Sequence, residues 1–340
     1  MTATHQLADA GFHAGELAVQ HQAGVREQAA RLSRMLEPAE LSSGIAGFLA
    51  QRTLLVITGR DETGRLWTSP LTGPAGFLEV RSGTELAVHG GVPAGDPLHG
   101  MTTGQKIGTT SVEFASRRRV RINGTLTVAT DDLLVIDIEQ AYGNCPQYIQ
   151  QRLLTPDTVR REQAATDVAR RGTTLEPEHI ALIRSADTFL LGTVHPQRGA
   201  DASHRGGPPG FVRVDERGLW WPDYPGNNLF NSLGNLAVSP ETALLFPDFT
   251  TGRTLHLSGT SRTEWGEAGR PGDDGRTGRI VRFDLASLTA ARRLPVREVA
   301  HHPYPRNPVL TDERPDFDDR IPSAVPALRP GNRPAQGPGR

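Results

Sequence analysis

Short apolar runs separated by glycine and proline turns occupy the chain from about residue 44 to about residue 300. Runs of this length and spacing, rich in β-branched and aromatic residues, predict strands of a closed or half-closed barrel. The first group of predicted strands covers residues 53–58, 65–69, 76–80, 85–88, 109–114, 119–127 and 133–139. The second group covers residues 188–194, 211–214, 218–221, 242–246, 254–263 and 279–285.

Helical periodicity appears before and between the two groups of strands. Apolar positions at three- to four-residue spacing predict a helix over residues 11–37, which Pro38 ends. Between the two groups we predict three helices, and Gly172 suits the left-handed position that follows a helix. These helices cover residues 148–154, 156–171 and 176–185.

The second β region repeats the first. Residues 53–58 align with 188–193 at an offset of 135, and Gly73–Phe77 aligns with Gly207–Phe211 at an offset of 134. Phe114 aligns with Phe249, and 123–125 with 258–260, again at 135. A repeat of this length indicates a duplicated domain rather than a solenoid.

The repeat predicts how the chain is divided. Residues 301–340 are rich in proline and glycine and are predicted to be disordered. The predicted parts are a helical leader (1–40), a first barrel (41–145), a helical connector (146–186), a second barrel (187–300) and the tail (301–340).

Composition and charge exclude several classes of protein. The formal net charge is −1, whereas general nucleic-acid binders carry a basic excess. The longest apolar runs have four residues, far fewer than the ~20 of a membrane helix. Residues 1–10 contain no apolar targeting segment, so we expect a cytoplasmic protein without a membrane partner. The single Cys145 excludes an internal disulfide, and no metal site is predicted, since His301 and His302 lack a nearby third ligand.

The densest group of polar residues lies at 201–207 and 222–236. Asparagine and serine side chains can hold a phosphate, a ribityl chain or a ring edge without adding charge, and Arg205 is a forked partner for a phosphate. Composition alone slightly favours a solvated loop, because these are also turn residues. Walker A, G-x-G-x-x-G and G-x-S-x-G motifs do not occur in the sequence.

These residues carry a family resemblance. The chain resembles the pyridoxamine 5′-phosphate oxidase-like FMN-binding split barrels, particularly members with two barrels in one chain. The resemblance implies a mainly β (α+β) fold with two tandem split β-barrels and helical connectors, and FMN bound between barrels, usually across a dimer. It spans about residues 12–300 and rests on 48–80, 142–150, 201–211, 223–236 and 244–257.

The resemblance also implies which residues contact FMN. Residues 203–205 would lie on the strand beside the flavin, and Asn231 and Ser232 match the position where polar residues that bind the phosphate begin a helix. True pyridoxamine phosphate oxidases have Lys or Arg there, which speaks against vitamin B6 oxidation. His204 is the candidate catalytic residue, as an acid, a base or a hydrogen-bond donor. The candidate cofactor-binding residues are Ser203, His204, Arg205, Asp223, Asn227, Asn228, Asn231, Ser232, Trp67, Ser69, Tyr142 and Asn144.

The expected activity is an FMN-dependent oxidoreductase that transfers a hydride or electrons between flavin and a small organic substrate or dioxygen. A deazaflavin- or haem-binding protein of the same fold, with His204 or His301 as haem ligand, and a non-catalytic flavin carrier remain alternatives. The oligomeric state stays open, and a homodimer is one of the alternatives. We interpret Arg117–Arg119 and Arg121 as a solvated strand face, with a contact to the flavin phosphate as the less favoured alternative.

Overall fold

The first group of strands forms one antiparallel sheet in a computed structural model that describes residues 11–33 and 41–311. The strand order is β2-β1-β5-β6-β7-β4-β3. Leu55 and Ile57 of β1 are fully buried in the core of this barrel, and the helix α3 (Ser43–Ala50) packs against β3. The strands are β1 (Leu54–Arg60), β2 (Leu66–Thr72), β3 (Leu78–Ser82), β4 (Glu85–His89), β5 (Lys106–Glu113), β6 (Arg118–Ala129) and β7 (Leu133–Gly143).

The second group of strands forms a sheet with the same order, strand for strand. This order is β11-β10-β14-β15-β16-β13-β12, and the short β9 (Arg170–Gly172) pairs with β16. The mainly β fold with antiparallel sheets is confirmed. The strands are β10 (Thr188–His195), β11 (Gly199–Gly206), β12 (Arg213–Asp215), β13 (Gly218–Pro222), β14 (Glu241–Pro247), β15 (Arg253–Trp265) and β16 (Arg279–Arg292).

Local irregularities recur at equivalent positions of the two sheets. The β6–β7 register shifts at Gly124, and the β15–β16 register shifts at Gly259. A Cβ atom on Gly124 would lie 2.1 Å from the Asp137 carbonyl oxygen, and one on Gly259 would lie 2.0 Å from the Asp284 carbonyl oxygen. Only glycine tolerates this close approach of two backbones, so both bulges depend on it.

One alignment of the repeat needs a correction. Ile57 lies opposite Ser69 in the first sheet, and Leu191 lies opposite Ser203 in the second. Residues 53–58 therefore correspond to the second half at an offset of 134, not 135. The one-residue difference matters because it exchanges the two faces of a strand.

The helical connector predicted over residues 146–186 is only partly correct. Residues 148–154 do not form a helix: β8 (Gln151–Pro156) pairs with the distant β17 (Val296–His302), which supplies hydrogen-bond partners that local periodicity cannot show. The helix predicted over 156–171 is reduced to α4 (Thr158–Thr166), because residues 170–172 form β9. The third predicted helix is α5 (Pro177–Ser185).

The two ends of the chain also differ from the prediction. The leader contains two short helices, α1 (Ala14–Gln22) and α2 (Arg26–Ala30), and residues 1–10 and 34–40 lie outside the described residues. The predicted disordered tail begins too early, because Tyr304 is buried and its amide donates to Gln150 Oε1 at 2.8 Å. The remainder, 312–340, lies outside the described residues.

The barrels pack against each other through equivalent strands. β11 contacts β5 and β6, while β2 contacts β14 and β15. Phe114 and Phe249, equivalent in the repeat, meet edge to face with ring centroids 5.2 Å apart. This arrangement brings β11 of the second barrel beside β6 of the first. No helix in residues 11–33 or 41–311 is long and apolar enough to cross a membrane.

Candidate functional site

A cleft opens between β6 of the first barrel and β11 of the second, and residues 222–233 form its other wall. Its volume is about 870 Å³, counted with the open solvent at its mouth. The helix α6 (Asn231–Leu236) begins at this wall, as the resemblance implied. The structure thus brings together nine of the twelve candidate residues: Asn144, Ser203, His204, Arg205, Asp223, Asn227, Asn228, Asn231 and Ser232.

Three candidate residues do not line this cleft. Trp67 is buried in the first barrel and donates its indole N–H to Asp61 Oδ2 at 2.9 Å. Ser69 donates to Asp96 Oδ1 at 2.6 Å, on the side of the barrel pair where β2 meets β15. Tyr142 lies behind the cleft, where its hydroxyl oxygen accepts from Arg121 at 3.2 Å.

The interpretation of the arginine run as a solvated face is wrong for Arg119 and Arg121, which line the cleft, while Arg118 is exposed. Alternate residues of β6 point away from the core of the first barrel, and in an isolated barrel that face would meet water. Here it meets β11 instead. The alternation was visible in the sequence, but the partner sheet that covers it was not.

The cleft has an excess of positive charge. Arg121 pairs with Asp201 at 3.1 Å, and Asp223 lies between Arg205 at 3.4 Å and Arg279 at 2.9 Å. Arg119 has no carboxylate partner within the described parts of the chain. Its burial, together with the charges of Arg121 and Arg205, lowers its pKa to about 9. The lining of the cleft itself carries three arginines and a single carboxylate, Asp223, which favours an anionic ligand.

His204 is a neutral hydrogen-bond donor in this cleft. Its pKa lies well below the ordinary value, first because the ring is buried and then because Arg119, Arg152 and Arg205 repel a further positive charge. Arg119 Nη1 donates to His204 Nδ1 at 3.2 Å, so the ring proton resides on Nε2. The predicted role as a general base is therefore less suitable than the role of donor.

Several buried donors of the cleft have no hydrogen-bond partner within the described residues. Buried polar atoms without a partner are rare in folded proteins and call for a ligand or water. Three of them belong to arginines, so the group is suited to phosphate or carboxylate oxygens. The atoms are Arg119 Nε, Arg121 Nε, Arg205 Nε, His204 Nε2 and Tyr224 Oη.

Strained backbone and aromatic rings are concentrated at the mouth of the cleft. Tyr148, Asn228 and Phe230 have φ values of 63°, 60° and 59°, which non-glycine residues rarely adopt. Such strain is often found at ligand sites. The rings of Tyr148 and Tyr224 lie 4.9 Å apart, and Asn227 Nδ2 donates to Asn144 Oδ1 at 3.2 Å. The mouth therefore joins both halves of the chain and offers flat surfaces to a planar ring.

The N-terminal helix α1 supports the cleft from behind, which sequence reasoning missed. Gly15 and Gly234 allow α1 and α6 to touch, since a Cβ atom on Gly15 would lie 2.1 Å from the Gly234 carbonyl oxygen. Glu16 accepts from Asn231 Nδ2 at 2.6 Å, and Asn231 Oδ1 accepts from Arg121 at 3.5 Å. Glu16 thereby orients a residue of the cleft.

Glu16 gives a prediction for stability against pH. Burial raises the pKa of Glu16 from 4.5 to about 7, so ionisation of the folded protein lags behind that of the unfolded chain. The folded protein therefore holds the Glu16 proton more tightly than the unfolded chain, and the free energy of unfolding of the wild type falls as pH rises from 4.5 to 7. Glu16→Gln has no such proton, so its free energy of unfolding should not show this fall. The free energy of unfolding of the variant minus that of the wild type should therefore rise by about 3 kcal/mol across this range.

Chemical denaturation at several pH values between 4.5 and 7.5 measures this difference. The matched control is Glu27→Gln, a change of the same chemistry on the exposed face of α2. His13, whose pKa burial lowers to about 3, is present in both proteins and cancels in the difference. If the difference in free energy of unfolding between Glu16→Gln and the wild type changes with pH as little as it does for the control, the prediction is wrong.

Comparison with known proteins supports a family likeness for the second barrel. Residues 175–269 match the family "Pyridoxamine 5'-phosphate oxidase". This range covers α5 to β15 and includes the wall of the cleft formed by residues 222–233. The resemblance inferred from the sequence is confirmed. No curated protein sequence matches the chain.

Some solved structures are similar to part of the chain. HutZ, a heme storage protein from Vibrio cholerae, is 17% identical and covers 34% of this chain and 94% of its own, with a TM-score of 0.27. HupZ from Group A Streptococcus is 11% identical and covers 38% and 99%, with a TM-score of 0.26. A protein named F420 reductase is 12% identical and covers 37% and 98%, with a TM-score of 0.23.

Proposed function

We propose, on the premise that residues 175–269 are similar to pyridoxamine 5′-phosphate oxidases, that this chain binds FMN in the cleft between its barrels. We further propose that it is an oxidoreductase that transfers a hydride or electrons between the flavin and a small organic substrate or dioxygen. The observation that carries this proposal is the group of unpartnered donors in a cleft with an excess of arginine.

The donor set fits FMN in charge and in hydrogen-bonding capacity. A phosphate monoester is close to a dianion at neutral pH and offers three acceptor oxygens. Arg119, Arg121 and Arg205 each have a buried Nε without a partner in the described residues. Forked guanidinium groups suit phosphate oxygens, so these three residues would hold the phosphate.

Neutral side chains of the cleft would hold the remainder of the cofactor. Ser203 Oγ and Ser232 Oγ lie 3.1 Å apart, and Asn227 lies at the mouth. Hydroxyl and amide groups of this kind both donate and accept, as a ribityl chain and a ring edge require. When bound, FMN would supply the redox chemistry, and the protein would supply orientation and electrostatics.

His204 would act as a donor in this proposal. Its Nε2 carries the proton and has no partner within the described residues. A fixed donor beside an electron-accepting ring stabilises negative charge that develops there. Because its pKa is far below the ordinary value, His204 keeps this neutral form across the physiological range.

Reconstitution with FMN tests the proposal. The purified full-length chain is incubated with FMN, freed of unbound cofactor and examined by visible absorbance. We expect the two bands of oxidised flavin, their bleaching by photoreduction with EDTA as the electron donor, and their return on reoxidation by dioxygen. If no flavin is retained, the proposal is wrong. If flavin is retained but catalyses no electron transfer from an added reductant to an acceptor, the protein is a flavin carrier.

Haem is a second candidate, favoured by one observation. The arginines of the open cleft could pair with propionate groups. His204 could ligate the iron through Nε2 only after its ring proton moves to Nδ1, which would displace the hydrogen bond that Nδ1 now accepts from Arg119. Parallel incubation with haemin distinguishes the two. A Soret band that disappears in His204→Ala, without flavin uptake by the wild type, would favour haem. Uptake of a deazaflavin in preference to FMN would redirect the proposal to that cofactor.

A further inference from the structure

Two equivalent barrels meet at two equivalent places, which differ in this chain. The cleft lies where β6 of the first barrel meets β11 of the second. The equivalent place, which we call the sealed contact, lies where β15 meets β2 and contains Ser69, Asp96, Thr254 and His256. We infer that each chain binds one cofactor molecule, in the cleft, and none at the sealed contact. This inference rests on the proposed function.

The sealed contact lacks the arginines of the cleft. At an offset of 135 between β6 and β15, Thr254 stands where the first half has Arg119, and His256 stands where it has Arg121. At an offset of 134 between β2 and β11, Leu71 corresponds to Arg205. The three side chains that would hold an anion are therefore all replaced.

The position of His256 confirms that the two places are equivalent. Arg121 on β6 reaches across to Asp201 on β11, at 3.1 Å. In the same way, His256 on β15 reaches across to β2, where its Nδ1 lies 2.9 Å from the Thr68 carbonyl oxygen. Burial lowers the pKa of His256, so this ring does not replace the lost positive charge.

Among the four residues of the sealed contact, only Asp96 Oδ2 lacks a hydrogen-bond partner in the described residues, and as a carboxylate oxygen it does not suit an anion. The Ser69 hydroxyl donates to Asp96 Oδ1 at 2.6 Å, and His256 Nε2 lies 3.0 Å from Thr254 Oγ1. Ser69 and His256 are fully buried, and Thr254 and Asp96 are 1% and 2% exposed. In the cleft, by contrast, four buried N–H groups lack a partner in the described residues, one each on Arg119, Arg121, His204 and Arg205.

The serine pair illustrates the divergence. Ser203 lies in the cleft within reach of Ser232. Its counterpart Ser69 is engaged by Asp96, which belongs to the loop between β4 and β5. The corresponding loop of the second half, between β13 and β14, carries α6 and forms the wall of the cleft. The loop between β13 and β14 therefore lines the cleft, whereas the loop between β4 and β5 supplies the side chain that occupies Ser69 at the sealed contact.

Both halves of the remaining site belong to the same chain. The first barrel contributes Arg119 and Arg121, and the second contributes Arg205 and residues 222–233. The site is complete without a partner copy, so cofactor affinity should not depend on protein concentration.

Binding stoichiometry tests the inference. Full-length protein is titrated with FMN by calorimetry, at two protein concentrations tenfold apart, with chain concentration from amino-acid analysis. We expect one FMN per chain and the same Kd at both concentrations. Two FMN per chain, or one FMN per two chains, would overturn the inference and leave the proposed function standing. If no FMN binds, the proposed function fails, and the inference fails with it.

A pair of equivalent substitutions locates the bound molecule. Arg121→Gln should remove all tight binding, whereas a chain with two working sites would retain one FMN at the original Kd. His256→Gln, at the equivalent position, should leave both stoichiometry and Kd unchanged. Because His256 is buried, Thr254→Ser is a milder second variant at the sealed contact, and a loss of FMN from it would contradict the inference.

Discussion

Replacing Arg119 with glutamine should weaken FMN binding by about 10- to 100-fold, because a hydrogen bond to a charged group contributes about 1.5–3 kcal/mol. Arg119 lines the cleft and has an Nε without a partner in the described residues. It has no carboxylate partner there either, so its removal leaves no buried anion behind. The loss should therefore appear in the Kd rather than in the stability of the fold.

The neighbouring Arg118 provides a matched control for this substitution. It lies on the same strand but is exposed, with its guanidinium 5.2 Å from the centre of the Phe48 ring. Arg118→Gln removes the same charge from the opposite face of β6. Titration by quenching of flavin fluorescence, with thermal unfolding measured in parallel, compares the two variants. An equal Kd in Arg118→Gln and Arg119→Gln would remove Arg119 from the proposed phosphate site.

Replacing Asp187 with alanine should lower the free energy of unfolding by about 3–5 kcal/mol, the usual result of breaking a buried ion pair. Both carboxylate oxygens of Asp187 accept from Arg152 Nη2 at 2.5 Å, and the two residues are 6% and 7% exposed. The substitution leaves a buried guanidinium with Glu298 as its only remaining ion-pair partner in the described residues. It also loosens β8 from the beginning of β10.

An exposed ion pair serves as the control for Asp187→Ala. Glu178 lies 3.3 Å from Arg170, and its side chain is 46% exposed, so Glu178→Ala should cost no more than about 1 kcal/mol. Urea denaturation followed by circular dichroism measures both variants. Equal costs would show that burial of the Arg152–Asp187 pair adds nothing to its contribution.

Much of the fold was predictable because its signals are local. The short apolar runs in residues 53–58 and 133–139, bounded by turn residues, are a signal that each segment carries by itself. The repeat depends only on comparing the chain with itself. Composition alone favoured a solvated loop for the polar residues of 201–207 and 222–236, and the family resemblance made them site candidates. The structure brings nine of the twelve candidates together.

The errors share a different cause. Residues 148–154 have the pattern of a helix, but the backbone of 151–154 pairs with residues 298–302, far away in the sequence. Trp67 and Ser69 are equivalent in the repeat to residues beside the cleft. They lie on β2, however, which meets β15 at the sealed contact and not at the cleft. Glu16 carried no signal, because its role depends on the contact between α1 and α6.

The sequence by itself determined that the chain forms a duplicated barrel, and its family resemblance identified the type of barrel and the segment that forms one wall of the cleft. Each of these follows from residues that are neighbours along the chain or that repeat at a fixed offset. Only the tertiary structure decided which of two equivalent places remains open and that Arg119 and Arg121 face it. The physical reason is that the outward face of a strand contacts either water or a second sheet. The same alternating sequence is compatible with both, and only the packing of the two barrels decides between them.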